Sequence, residues 1–371
     1  MIKEKNLVKN LQSLVKIPSF RDSIEVSKWI KNELEDFGYD VWSDEDGNLI
    51  TEIGEGPGFI LNAHMDTVEA GDGWKHGPFR GKVADGKIYG RGSSDCKAGI
   101  ASMIEIARVL RKNPPDRRIV FTFTAYEEGH PPEKNGLKRV LPRLKNIEKG
   151  LILEPTISGK KIGIGVGCRG GMGYVIDIIG EMGHSAYYQN DKNPIYRFPH
   201  LLRKIEKLPQ RKMNIEIIGE EITDKNSVTE IMAKEGPNVI PSRCTISLDR
   251  RALPDEKPGD FRPEIEKVCK NVLGKDYSIH EVRGLQGYLF DDEKFLSECE
   301  RSVEKAGMKP DARFEKARID GCILYNFAGI GTFMMGPGSI EQAHQLDEYC
   351  EIEGLVKATE AVLNVILFNH K

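Results

Sequence analysis

The sequence predicts an α/β fold: a mixed, mostly parallel sheet sandwiched by helices, with a smaller ferredoxin-like βαββαβ domain inserted into it. Two observations carry this. Short apolar strands alternate with amphipathic helices through the first 155 residues and again near the end, the rhythm of a sheet covered on both faces. Between residues 172 and 284 the order changes to strand, helix, strand, strand, helix, strand, the split βαβ arrangement. The chain has 371 residues, which suits two domains at roughly 100–200 residues each.

The elements follow in order. Leu7, Val8, Leu11, Leu14 and Val15 recur at helical spacing, and Pro18 ends that helix. A second helix carries Ile24, Val26, Trp29, Ile30, Leu34 and Phe37 and stops at Gly38. Strands at Tyr39–Trp42 and Asn48–Ile53 flank Asp46-Gly47, a hairpin turn. Phe59–Ala63, Lys87–Tyr89, Arg118–Ala125, Gly150–Leu153 and Gly331–Met335 read as strands, and Ala98–Leu110 as a helix. In the inserted segment, strands are expected at Gly173–Ile179, Ser227–Ala233, Cys244–Asp249 and Tyr277–Val282, with helices at Pro194–Leu208 and Phe261–Leu273. Helices near Glu293–Ala306 and Ile352–Leu367 return to the first domain. The expected organisation is thus 1–171 and 285–371 as one domain, with 172–284 as a second domain inserted into it.

Composition narrows the function. With 57 acidic and 54 basic side chains the net charge is −3 and no face is visibly basic, which disfavours a nucleic-acid partner. No apolar run is long enough to span a bilayer, and the charged start Met-Ile-Lys-Glu-Lys-Asn does not read as a signal peptide. Seven scattered cysteines without a CxxC pair suit a reducing compartment without structural disulfides. A cytoplasmic location is therefore expected.

The chemistry lies at strand ends. Phe59–Ala63 runs into His64-Met65-Asp66, Arg118–Ala125 into Glu127-Glu128, and Gly150–Leu153 into Glu154-Pro155. Gly331–Met335 is followed by Gly336-Pro337-Gly338 and then His344, and Lys87–Tyr89 leads through a glycine-rich turn to Asp95. Loops at the carboxyl ends of parallel strands meet in one crevice, so groups distant in sequence can converge. Two histidines with several carboxylates make a nitrogen–oxygen donor set suited to zinc, cobalt or manganese. Singly, each has a plainer reading: a loop histidine, a solvated acidic pair, or, for Asp95, a helix N-cap. Together, at one edge of one sheet, they point to a metal site. His76 and His130 read as loop residues outside it.

In this order the residues resemble the acetylornithine deacetylase, succinyl-diaminopimelate desuccinylase and carboxypeptidase G family of dinuclear metallohydrolases. The matching motifs are Asn62–Val68, Tyr89–Gly99, Glu127-Glu128-Gly129, Leu153–Thr156, Gly183-His184-Ser185-Ala186, Asn238-Val239-Ile240-Pro241, Leu248–Arg251 and Gly336-Pro337-Gly338. The resemblance spans nearly the whole chain and implies a zinc-peptidase-like catalytic domain. It implies that Asp95 bridges two divalent ions, with His64 and Glu154 completing one position and Glu128 and His344 the other. It makes Glu127 the general base and gives Asp66 the task of holding the His64 ring. It also implies a cis peptide after Asp95 and an oxyanion donor role for His184. Two positions depart from the family: Tyr126 replaces the usual Asp before the acidic pair, and Cys96 replaces a small residue or Met after the bridging Asp.

Arg250 and Asn238 are the expected substrate-binding residues, because a guanidinium pairs bidentately with a carboxylate; a surface ion pair is the plainer reading of Arg250. The expected activity is hydrolysis of the amide in a small N-acyl amino acid, of deacetylase or desuccinylase type. A metallo-carboxypeptidase or dipeptidase is the alternative, and a non-catalytic binding relative the second. Small acylated amino acids or short peptides are the expected partners, with a homodimer formed through the inserted domain.

Overall fold

The computed structural model describes residues 1–368, and they divide into two compact units. The first comprises Met1–Gly167, Phe290–Phe314 and the described residues from Ile319 onward; the second comprises Cys168–Leu289 and Glu315–Arg318.

The first unit is built on a sheet whose strand order is Trp42–Ser43, Leu49–Ile53, Arg118–Thr124, Gly58–His64, Ile147–Pro155, Gly331–Gly336 and Lys161–Cys168. The middle four, Arg118–Thr124 to Gly331–Gly336, run parallel; the neighbours on either side are antiparallel. This is the mixed, mostly parallel sheet the sequence predicts. Its central strands are apolar runs because both faces are covered: every residue of Gly58–His64 and of Gly331–Gly336 is buried. The helix Lys97–Lys112 packs on Gly58–His64 and Ile147–Pro155, and against the helices Glu4–Val15, Ile24–Asp36 and Ile352–Ile366. Gly99 permits that approach, since a Cβ there would lie 2.3 Å from the Leu153 carbonyl oxygen.

Lys87–Tyr89 does not belong to this sheet. It pairs with Lys82–Ala84 and Tyr349–Glu351 in a small antiparallel sheet, Tyr89 opposite Tyr349. The glycine-rich turn before Asp95 is thereby joined to the segment just after His344.

The second unit contains a four-stranded antiparallel sheet in the order Lys225–Met232, Arg243–Ala252, Gly170–Ile179, Tyr277–Leu285. The helices Pro194–Glu206 and Arg262–Leu273 pack against it. Along Gly170–Ile179 the alternate residues Met172, Tyr174, Ile176 and Ile178 enter the core, as the period of two requires. Leu201, Ile205, Ile265 and Leu273 meet them from the helices. A short ladder places Gly183 opposite Ile240 and His184 opposite Val239.

Among the described residues no helix is long and apolar enough to cross a membrane. All seven cysteines are buried and none forms a disulfide.

Candidate metal centre

The parallel strands deliver their side chains to one place. His64 is the last residue of Gly58–His64, and Glu154 lies at the end of Ile147–Pro155. Glu128 is on the loop after Arg118–Thr124, and Asp95 stands at the entrance to the helix Lys97–Lys112. His344 follows Gly331–Gly336 on a loop, in the left-handed region at φ +63°.

Asp95 is the shared member. Its Oδ1 lies 3.1 Å from His64 Nε2, which is also 3.5 Å from Glu154 Oε1. Its Oδ2 lies 3.5 Å from His344 Nε2, which is 2.8 Å from Glu128 Oε1. The two oxygens of one carboxylate thus face two different donor groups. Donor atoms of His64, Asp95, Cys96 and Glu154 all lie within 4.8 Å of one another, as do those of Asp95, Glu128 and His344.

The ring proton of His64 is fixed from behind. Its Nδ1 donates to the Asp66 backbone carbonyl at 2.9 Å, which aims Nε2 at Asp95 and Glu154. The Asp66 carboxylate stands farther from that nitrogen, at 3.6 Å. That carboxylate accepts instead from the backbone N–H groups of Glu127 (3.2 Å) and Glu128 (2.8 Å). Asp66 therefore holds the acidic pair in place as well as standing beside the imidazole.

The electrostatics call for a cation. Burial pushes the Glu154 carboxyl well above its ordinary range, and the neighbouring charge of Asp95 adds to this. His344 is raised, chiefly by its hydrogen bond to Glu128. Burial opposes charge on His64, but Glu154 and the groups around it hold it well above the usual imidazole value. Three carboxyl groups and two imidazoles converging in this way are a donor set that a divalent ion fits, displacing any protons they carry as it binds. Oxygen and imidazole donors predominate, as the sequence reading expected; the thiol of Cys96 is turned to the Leu153 carbonyl oxygen at 3.1 Å. The Asp95–Cys96 peptide is cis. Tyr126, at φ +63°, packs its ring edge-on to His130 with centroids 4.9 Å apart. His130 Nδ1 bonds to the Glu128 carbonyl and His76 stacks on Tyr89; neither is in a donor group.

Two buried acids at the site escaped the sequence reading. Asp320 accepts from Asn62, Thr124 and Asn135, which braces the strand ends bearing His64 and the acidic loop. Glu348 accepts from the turn that carries Asp95. No local motif marks either, because their partners lie far away in the chain.

In the second unit, His184 and Asn238 are neighbours and exposed, with Asn238 Nδ2 3.3 Å from His184 Nε2. The Ala186 N–H donates to His184 Nδ1 at 3.2 Å, so both ring nitrogens face donor groups. Arg250 is different. It is 2% exposed, and its guanidinium is occupied by Glu256, Asp224 and Asn226 while stacking on Phe261. That internal ion-pair network replaces the substrate contact expected of it. The next residue, Arg251, lies on the opposite face of the strand. Its side chain is 37% exposed and pairs with Asp249.

A nitrogen–oxygen donor cluster organised around one shared carboxylate, on a parallel α/β sheet, marks the class of metal-dependent hydrolases. The model of Peptidase family M20/M25/M40 matches residues 60–367, and the chain belongs to that family. It is a hydrolase acting on amide bonds. A succinyl-diaminopimelate desuccinylase from Methylobacterium radiotolerans is 29% identical over 342 residues, covering 84% of this chain and 81% of its own length. Another, from Wigglesworthia glossinidia brevipalpis, is 32% identical over 295 residues, covering 72% of this chain and 75% of its own. Among solved structures, aminopeptidase PepT from Bacillus cereus superposes with a TM-score of 0.78 at 22% identity, over 99% of this chain and 98% of that one. A dinuclear metal-binding peptidase of the M20 family from Bacillus subtilis gives 0.74 at 17% identity, over 98% and 97%. At these identities the solved structures establish the fold.

Proposed function

We propose that the chain hydrolyses the amide bond of a small N-acyl amino acid, of the desuccinylase or deacetylase type, with a water activated between two divalent ions. The observation that carries this is Asp95, whose two oxygens face His64 with Glu154 on one side and His344 with Glu128 on the other. His64, Asp95 and Glu154 would hold one ion, and Asp95, Glu128 and His344 the second. Zinc suits this donor set, as do cobalt and manganese. When bound, such ions supply an acidified water and polarise the scissile carbonyl.

The chain's own residues do the rest. Glu127 takes a proton from the attacking water and returns it to the leaving nitrogen. Its backbone N–H is held by Asp66, which fixes the base next to ligand Glu128. His184 is the donor proposed for the developing oxyanion, and Asn238 beside it for a substrate oxygen. Arg251, rather than Arg250, is the guanidinium proposed for the substrate carboxylate. The desuccinylase names of the curated relatives support an acylated amino acid. The aminopeptidase PepT and the di-peptidase Dug1p share this fold, and hydrolysis of short peptides is the second reading.

The test is Glu127→Gln, assayed on N-succinyl and N-acetyl amino acids and dipeptides. The variant should keep its metal content and lose about 10²–10⁴ in turnover, the usual worth of a general base. Turnover within a few-fold of the wild type would remove Glu127 from the mechanism.

A further inference from the structure

His64 and Glu154 are placed by strands of the central sheet, and Glu128 by the Asp66 carboxylate. Asp95 and His344 lack that support. One sits at the end of a glycine-rich turn outside the sheet, and the other on a loop, with half its side chain exposed. Yet Asp95 must present one oxygen to each side of the centre, so its position relative to His344 has to be set by something else.

Glu348 supplies that link. It is fully buried. Its Oε1 accepts from the backbone N–H groups of Ser94 (2.8 Å) and Asp95 (3.0 Å). Its Oε2 accepts from Gly92 N–H (3.0 Å) and from Arg91 Nη1 (2.7 Å). Its own carbonyl takes Gly90 N–H at 2.8 Å. Four donors thus converge on two oxygens, a demand only an ionised carboxylate meets in full. Glu348 also lies four residues beyond His344, and Arg91 closes the loop by reaching the His344 carbonyl with Nη2 at 3.4 Å. The Arg91 guanidinium itself lies over the Trp74 ring, 5.2 Å from its centre.

Resting on the metal-centre reading above, we infer that Glu348 is a positioning residue: with Arg91 it locks the Asp95 turn to the His344 loop and so sets the spacing of the two metal positions. It touches no ion and no reacting atom. Glu348→Gln tests this, because the amide nitrogen turns a donor toward donors at one end of the clamp. A purely structural acid would, when replaced, lower the melting temperature and leave metal binding alone. A positioning acid changes the binding itself.

The experiment compares metal-stripped wild type and Glu348→Gln by cobalt(II) titration. It follows the d–d absorption and the two dissociation constants by chelator competition, with melting of both metal-free proteins alongside. The expected result is a 10–100-fold loss of affinity for at least one ion, the usual effect of losing an outer partner of a metal ligand, with a changed d–d band. Arg91→Lys keeps the charge but loses the reach to His344; it should weaken one of the two ions selectively, and it carries the test if Glu348→Gln fails to fold. Wild-type constants and spectrum in both variants would overturn the inference. A wild-type protein that binds no cobalt would overturn the metal-centre reading, and this inference with it.

Discussion

Removing the Asp66 carboxylate should damage function before it damages the fold. In Asp66→Ala the N–H groups of Glu127 and Glu128 lose their shared acceptor. Hydrogen bonds to a charged group contribute about 1.5–3 kcal/mol each. The 2.8 Å bond to Glu128 belongs at the upper end of that range and the 3.2 Å bond to Glu127 at the lower. Because the acidic loop is only half-buried, water can replace part of what is lost, so the net cost is about 2–3 kcal/mol. Asp66→Asn keeps one acceptor oxygen and should cost about half as much. Neither change unfolds a domain of this size, but both free the loop that carries the proposed base and one ligand. Metal affinity or kcat/KM should fall by about 10–100-fold in the alanine variant, with the asparagine variant between it and the wild type. Elemental analysis after dialysis, amide hydrolysis kinetics and a urea melt measure the three effects. An alanine variant with normal metal content and kcat/KM within twofold of the wild type would refute the reasoning, since the loop would then be held by other contacts.

Arg250→Met should destabilise the protein by about 3–5 kcal/mol, because it strands the buried Asp224 carboxylate and leaves buried Glu256 only its pairing with Arg211; a urea midpoint measures it. Arg251→Ala should leave that midpoint nearly unchanged and raise KM for carboxylate-bearing substrates, and the reverse pattern would restore the substrate role to Arg250. The strand Lys225–Met232 forms one edge of its sheet, with Ile231 and Met232 exposed, an arrangement that invites pairing with a second copy. Light scattering should show a dimer at micromolar concentration, and a monomer would remove the proposed homodimer.

The central strands were legible because a parallel strand covered on both faces must be a continuous apolar run, and Phe59–Ala63 and Gly331–Met335 are such runs. Lys161–Cys168 went unread because glycine takes every second place in Ile-Gly-Ile-Gly-Val-Gly, which erases the alternation signal. The helix Gly321–Ala328 is short and nearly all apolar, so it carries no periodicity. Tyr349–Glu351 is three residues long, too short to leave a pattern.

The site divides in the same way. His64, Glu128 and Glu154 were legible because a metal-capable side chain followed an apolar strand in each case. Glu348 and Asp320 were not, because their partners lie up to 258 residues away and include backbone groups that no motif records. Arg250 could have been read correctly. Cys244, Ile246 and Leu248 already mark the even-numbered face of its strand as the core face, and Arg250 continues that series. The alternation outweighed the chemistry of a guanidinium next to Asp249.

The most direct test of the account is to strip the protein of metal and add zinc, cobalt or manganese back while measuring bound ions and hydrolysis of N-succinyl, N-acetyl and dipeptide substrates together. The account predicts two ions per chain, activity that vanishes with the metal and returns with it, and a preferred substrate among the acylated amino acids. Hydrolysis that survives complete removal of metal, or full activity with no ion bound between Asp95 and its two histidines, would contradict it.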